Sequence, residues 1–385
     1  MTLRPMFARF ALPGLILALL TATAAAAPLP PPRAPSVDAE RYILQDFASG
    51  QILAEQGADE RADPASITKL MTAYVVFDAL REGLLDLDDL ATISRKAWKA
   101  EGSRMFAEVN SQVRIEDLLR GMIIQSGNDA AIALAEHTAG SEESFADRMN
   151  QYAQKLGMRD THYTNASGLT DEGHYTTARD IATLARALIT NFPAYYKLYS
   201  EKDYTYNGIT QRNRNRLLWR DASVDGIKTG YTAAAGYCLA SSAARDDMRL
   251  VAVVLGAPSG NARVSASESL LNWGFRFFES TQLGAAGEEL TTARVYKGAQ
   301  EQAALGRLEA THVVVPRGQA ASLEMDTRVE GPLMAPLSRG ETVGELVLRH
   351  GDQELRRLPL QSLDDVPLGS FWQRLRDEAL LLIGG

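Results

Sequence analysis

The chain has 385 residues, room for about two or three domains, and its 45% hydrophobic and 23% charged content is that of a soluble globular protein. A formal net charge of −8 argues against a nucleic-acid partner. The single cysteine, Cys238, excludes an internal disulfide, and five scattered histidines at no metal-ligand spacing give no reason to expect a metal or cofactor.

In chain order, Arg4 and Arg9 precede a short apolar run from Phe10 to Leu20, followed by small residues from Ala22 to Ala27. That is the layout of a cleaved signal peptide over residues 1–26, too short in its apolar part for a membrane span, so the mature chain is expected to be exported. Residues 27–38 form a Pro-rich spacer, expected to be extended and mobile. Tyr42 to Gln45 and Gln51 to Ala54 flank Ser49-Gly50 as a hairpin. A helix carrying Leu70, Tyr74, Phe77 and Leu80 follows Pro64, an acidic turn occupies Asp86 to Asp89, and a second core helix ends at Gln125-Ser126-Gly127-Asn128. Further helices are expected directly after Asn128, over Ser144 to Leu156 and over Ala178 to Thr190, with Asn165 to Leu169 as a loop. From Val224 the texture turns to strand: Val224 to Lys228, then a hairpin of Gly236 to Ala243 and Met248 to Leu255, before a helix over Arg263 to Phe278.

Helices before and after these strands imply an antiparallel sheet with helices on its faces, an α+β domain over residues 39–281. Residues 282–366 carry short strand-like runs, such as Val313 to Val315, Ser322 to Met325 and Thr342 to Leu348, and read as a small all-β domain. Residues 367–385 return to an amphipathic helix, with Phe371, Trp372, Leu375, Ala379, Leu380 and Ile383 opposite Arg374, Arg376, Asp377 and Glu378.

Three short motifs carry the chemistry. In Pro64-Ala65-Ser66-Ile67-Thr68-Lys69, a serine that opens a helix has its oxygen at free N–H groups, and Lys69 lies one turn on, on the same face. Serine is a weak nucleophile until an adjacent base takes its proton, and a lysine is such a base only when burial or a nearby cation keeps it neutral. An isolated S-x-x-K is as well explained by a helix cap and a surface cation, since a chain this long should show about one by chance. Ser126-Gly127-Asn128 adds two polar tips at a helix–helix junction. Lys228-Thr229-Gly230, expected at a strand end, adds a charge, a hydroxyl and a glycine that would let ligand lie along the strand edge.

S-x-x-K, S-G-N and K-T-G in that order form the motif set of penicillin-binding proteins and serine β-lactamases. The chain resembles a low-molecular-weight penicillin-binding protein, a D-alanyl-D-alanine carboxypeptidase of the peptidase S11 type, over nearly its whole length. Asn213-Arg214-Asn215-Arg216-Leu217-Leu218-Trp219, Val224 to Gly230 and Leu271 to Phe278 look like stretches of that family. The resemblance implies a β-lactamase-like catalytic fold with Ser66 as nucleophile, Lys69 as base, Ser126 as proton relay and Asn128 on the substrate amide. It gives Lys228 an electrostatic role, places Thr229, Arg214 and Arg263 near the substrate carboxylate and Gly230 among the substrate-binding residues, with the N–H groups of Ser66 and Tyr231 as oxyanion hole. Tyr231 stands where family members often carry His.

The implied substrate is a peptidoglycan stem peptide ending in D-Ala-D-Ala, with β-lactam antibiotics as acylating mimics. The implied location is the periplasmic face of the inner membrane, with the C-terminal helix on the membrane surface. The alternatives are a serine β-lactamase, which would want an E-x-x-L-N between Ser126 and Lys228 that this chain lacks, a D,D-endopeptidase, and a non-catalytic wall-binding or β-lactam-sensing module.

Overall fold

The computed structural model describes residues 31–382, so the expected signal peptide and Ile383 lie outside them. The described part of the spacer is laid on the protein rather than loose. The Trp273 indole N–H donates to the Pro32 carbonyl at 3.2 Å, and Val37 and Ala39 pack on an apolar cluster.

At the centre is a five-stranded antiparallel sheet of β1 (Arg41–Asp46), β2 (Ile52–Gln56), β3 (Val224–Thr232), β4 (Gly236–Arg245) and β5 (Met248–Ala257), in the order β2-β1-β5-β4-β3. Successive side chains of a strand point to opposite faces, and here both faces are dry. In β5, Val251, Val253 and Leu255 enter one core while Leu250, Ala252 and Val254 enter the other.

The first core is closed by five helices: α1 (Lys69–Arg81), α2 (Ile115–Ile124), α3 (Asn128–Ala139), α4 (Glu142–Lys155) and α5 (Ala178–Asn191). α5 lies on β1 and β5 with Ile181, Leu184, Ala185 and Leu188 buried, a helical stripe. The second core is closed by α6 (Gly260–Phe277), which packs on β4 and β5. α6 approaches closely at Gly274, where a Cβ would come within 2.5 Å of the Leu250 side chain. The layers are therefore helix, sheet, helix, as the sequence pattern implies.

Side-chain caps set several helix starts. Ser141, Thr177 and Ser259 each accept from the N–H three residues on, so α4 and α6 begin earlier than their apolar periodicity indicates. Two other expectations need correction. Ser66 does not open the α-helix: Ala65–Thr68 is a tighter 3-10 turn, and α1 starts at Lys69. Nor does Lys228-Thr229-Gly230 end its strand, because β3 runs on to Thr232, paired throughout with β4.

Beyond Phe277 the chain is β apart from a short 3-10 turn, Ala320–Ser322, until its last helix. Phe278–Gly284 pairs with Thr311–Pro316, and a six-stranded sheet includes Leu323–Val329, Thr342–His350 and Gln353–Ser362. Its apolar clusters are small, one of them built on Val313, Val315, Leu346 and Leu348. The final helix, α7 (Phe371–Leu382), begins four residues later than the expected 367, and its polar residues do not have the expected orientation. Asp377, placed by its charge on the outer face, is the buried residue of α7. It accepts a hydrogen bond from the Lys297 backbone N–H at 2.6 Å and pairs with Arg376. An unpaired backbone N–H is costly to bury, and a carboxylate satisfies it strongly. Phe371, Trp372 and Leu375 remain exposed, at 61%, 75% and 52%. Among the described residues no helix is long and apolar enough to cross a membrane.

Candidate active site

The three motifs meet at one edge of the central sheet, in a cleft of about 560 Å³ lined by Ser66, Ser126, Asn128, Thr229, Gly230 and Tyr231 among others. The Ser66 turn sits against β3. A Cβ on Gly230 would meet Ala65 and the Pro64 carbonyl at 3.1 Å. Gly230 is therefore needed for the approach of strand and turn, a different reason from the ligand contact expected of it.

The turn itself is constrained. Ala65 has φ +46, its N–H donates to Asp63, and its carbonyl lies where a Cβ on Gly168 would be, 1.9 Å away. A non-glycine residue at positive φ stores strain of about 1–3 kcal/mol, which the surrounding structure must hold. Ser126, at φ +68, is a second such residue in the cleft.

Lys69 is fully buried in the first turn of α1. Its Nζ donates to Ser66 Oγ at 3.0 Å, to Asn128 Oδ1 at 2.7 Å and to the Ser167 carbonyl. Burial pulls its pKa down to about 7, against the opposing pull of the Asp129 and Glu142 carboxylates. Near neutral pH a large share of this amine is unprotonated, as a base for Ser66 must be.

Lys228 is the second buried lysine, and its Nζ donates to Ser126 Oγ at 2.8 Å and to the Thr229 carbonyl at 3.1 Å. Burial first, then the positive charges of Lys69, Arg263 and Arg214, push its pKa well below the usual lysine value. The two serines are thus each served by a buried amine, one from each side of the cleft.

Asn128 is clamped at both ends of its amide, since its Nδ2 donates to the Glu101 carbonyl at 2.6 Å. Arg263 reaches from α6 to donate to the carbonyls of Gly230 at 2.8 Å and Cys238 at 3.3 Å, which holds it against the strands β3 and β4 at the cleft wall. Arg214 is exposed at the cleft wall, 3.5 Å from Ser103 Oγ. Tyr231 is 55% exposed, its ring 4.3 Å from that of Tyr237. All ten residues singled out in the sequence line the cleft or directly hold residues that do.

Several contributors escape the motif reading. Ser167 supplies the carbonyl that anchors Lys69. Its loop is shaped by Asn165, whose Oδ1 accepts from the N–H groups of Ser167 and Gly168. Asn-x-x-Gly is an Asx-turn signal that could have marked it. Asp129, next to the second motif, accepts from the N–H groups of Met105 and Phe106 at 2.9 Å and so holds the 103–107 loop over the cleft. That anchor joins residues far apart in sequence, and no local signal announces it.

A serine beside a neutral lysine, with a second serine–lysine pair opposite, is the arrangement of an acylating serine enzyme. Residues 26–259 match the model of the D-alanyl-D-alanine carboxypeptidase family, peptidase S11, and residues 278–368 match that of the penicillin-binding protein 5 C-terminal domain. The chain belongs to this D-alanyl-D-alanine carboxypeptidase family. It is 46% identical to D-alanyl-D-alanine carboxypeptidase DacC of Escherichia coli K12, covering 90% of this chain and 89% of the relative. It is 33% identical to DacF of Bacillus subtilis, over 87% of each. The crystal structure of penicillin-binding protein 5 from Haemophilus influenzae is similar at TM-score 0.83 and 40% identity, covering 87% of this chain and 99% of that one. A penicillin-binding protein D2 from Listeria monocytogenes, solved with ampicillin bound, is similar at TM-score 0.59 and 31% identity, covering 63% of this chain and 100% of that one.

Proposed function

We propose that the chain is a serine D-alanyl-D-alanine carboxypeptidase that removes the terminal D-alanine from peptidoglycan stem peptides. The observation that carries this reading is the buried Lys69 amine, held near pKa 7 and 3.0 Å from Ser66 Oγ. Lys69 takes the Ser66 proton as Oγ attacks the carbonyl carbon between the last two D-alanines. The backbone N–H groups of Ser66 and Tyr231 receive the developing oxyanion, at about 3–4 kcal/mol of barrier per donor. Ser126, hydrogen-bonded to Lys228, passes a proton to the departing amine, and D-alanine leaves. Asn128 holds the substrate amide. Thr229, Arg214 and Arg263 face the terminal carboxylate, for which a guanidinium is a planar two-point partner. Water then hydrolyses the ester. A β-lactam enters by the same attack, and its ester persists.

Intact-protein mass after brief exposure to benzylpenicillin, wild type beside Ser66→Ala, tests the assignment. One stable adduct in the wild type and none in the variant is expected. Rapid hydrolysis of the drug without an adduct would point to a β-lactamase instead.

The reading extends to location. The exposed apolar side chains of α7, Phe371, Trp372, Leu375 and Leu382, form a face suited to lying in the plane of a membrane surface, here the periplasmic face of the inner membrane after export. Removing residues 371–385 should move the protein from the membrane to the soluble fraction with D-alanine release intact. An unchanged distribution refutes the anchor.

A further inference from the structure

Thr68 lies between Ser66 and Lys69, and its side chain is fully buried. It stands directly before α1, where a threonine hydroxyl ordinarily accepts from an N–H of the first helical turn. Thr68 makes no such cap. Its Oγ1 lies instead 2.8 Å from Nε2 of His174, 106 residues further along the chain. His174 is itself buried, at 5% exposure, and has no part in the proton transfers described for the cleft.

The other ring nitrogen sets the direction of this bond. The Thr164 backbone N–H, a donor that cannot reverse, points at His174 Nδ1 from 3.0 Å. Nδ1 is therefore the acceptor, and the single proton of the neutral ring sits on Nε2, which donates to Thr68 Oγ1. Burial favours this neutral form and pulls the His174 pKa down to about 4. The Asp63 and Asp171 carboxylates oppose that shift, and the His162 and Lys69 charges add to it.

The segment carrying the ring is fixed from both sides. His162 and Tyr175 exchange backbone hydrogen bonds at 2.9 and 3.0 Å, and Ala62 and Thr176 do so at 2.8 and 2.9 Å. The Tyr163 ring meets the imidazole edge to face, with centroids 5.7 Å apart. The turn it reaches is the part that needs holding. Ala65 is at φ +46, and the 3-10 turn after it begins without a side-chain cap. Such strain persists only where surrounding contacts fix it. Thr68 Oγ1 is also 2.7 Å from where a Cβ on Gly168 would lie. The hydroxyl is thus wedged between His174 and the loop whose Ser167 carbonyl anchors Lys69.

We propose that His174 is a positioning residue for acylation: through Thr68 it sets the Ser66 turn against the loop that anchors Lys69, keeping Oγ and Nζ within hydrogen-bonding distance. The inference rests on the reading of Ser66 as nucleophile and Lys69 as its base. A misplacement of about 1 Å between reacting groups costs about a hundredfold in rate. The groups that face the substrate carboxylate, Thr229, Arg214 and Arg263, come from other parts of the chain, so the loss should fall on the rate of attack and spare binding.

The test follows acylation of the full chain by benzylpenicillin over a range of drug concentrations, with native structure checked by circular dichroism. It yields a maximal rate and a half-saturating concentration for the wild type, His174→Leu, His174→Gln and Thr68→Val. His174→Leu and Thr68→Val, which cut the same bond from its two ends, should each lower the maximal rate about tenfold or more and leave the half-saturating concentration within about twofold. His174→Gln, whose amide both donates and accepts, should stay within about threefold of the wild-type rate. Combining Thr68→Val with His174→Leu should cost no more than the larger single change, because both remove one interaction. A wild-type maximal rate in His174→Leu or Thr68→Val overturns the proposal. So does a His174→Gln variant as slow as His174→Leu, which would make the ring a packing element only, or a loss confined to the half-saturating concentration. If His174→Leu does not fold, Thr68→Val and His174→Gln decide by the same criteria. A wild type that is not acylated at all defeats the reading of Ser66 as nucleophile, and this inference with it.

Discussion

The Ser66 cleft and the C-terminal helix region bury charge in opposite ways. In the cleft two lysine amines, Lys69 and Lys228, are buried and hydrogen-bond mainly to serine hydroxyls, an amide oxygen and carbonyls. Around α7 the buried charge is a carboxylate, Asp377, fully engaged by a backbone N–H and guanidinium groups, while large apolar side chains face outward. The first arrangement leaves a charge only partly compensated, which shifts its pKa toward reactivity. The second compensates its charge and makes a structural clasp. Buried charge alone therefore does not distinguish catalysis from construction. The nature of the partner does.

The largest effect should come from removing the reactive amine. Lys69→Met keeps the volume but deletes the base, and acylation by benzylpenicillin, followed by stopped flow, should fall by about 10²–10⁴-fold. Acylation at the wild-type rate in this variant would remove Lys69 from the chemistry.

The wild type carries the matching pH signature. Neutral Lys69 is the active form and its pKa is about 7, so kcat/KM for acylation should rise through about pH 7 and level off above it. The same shift makes stability pH-dependent. Between the folded value near 7 and the unfolded lysine value near 10.4, the unfolded chain binds more protons, so this group's contribution to stability improves as pH rises through that window. A profile that is flat from pH 6 to 9 contradicts the assignment.

Next comes the turn that carries Ser66. Gly168→Ala introduces a Cβ 1.9 Å from the Ala65 carbonyl, at a φ of +82. Backbone must move, and a loss of about 1–3 kcal/mol in denaturant unfolding is expected together with slowed acylation. Unchanged acylation would mean that the Ala65 conformation is irrelevant to Ser66.

The smallest catalytic effect should come from the structural clasp. Asp377→Ala leaves the Lys297 N–H without its partner, costing about 1–3 kcal/mol locally, seen as faster proteolysis near α7. D-alanine release should stay within about twofold. A large loss of activity would show that the two regions are coupled.

Much of this was legible in the chain. The unbroken apolar run of Leu250 to Leu255 in Met248–Ala257 and the stripe of Ala178–Asn191 specify a sheet with both faces covered, because the apolar pattern reports burial directly. Ser66, Lys69, Ser126, Asn128 and Lys228 were readable as reactive types at motif spacing. The Asn207-Gly208 pair between Asp203–Tyr206 and Ile209–Arg212 is a further hairpin signal that the sequence carries. Asp377 was misplaced because a helical wheel assigns charge to solvent, whereas the Lys297 N–H that draws it inward comes from a distant strand end.

By itself the sequence determined the layers, the order of the main elements and the residue types able to attack a carbonyl, since these follow from local periodicity and side-chain chemistry. Only the tertiary structure decided that Lys69 and Lys228 are stripped of water on either side of one cleft. It alone brought the Ser167 carbonyl to Lys69, set Asp129 under the 103–107 loop and joined His174 to Thr68. Those contacts join residues far apart along the chain, and burial and charge environment exist only once the chain has closed around them.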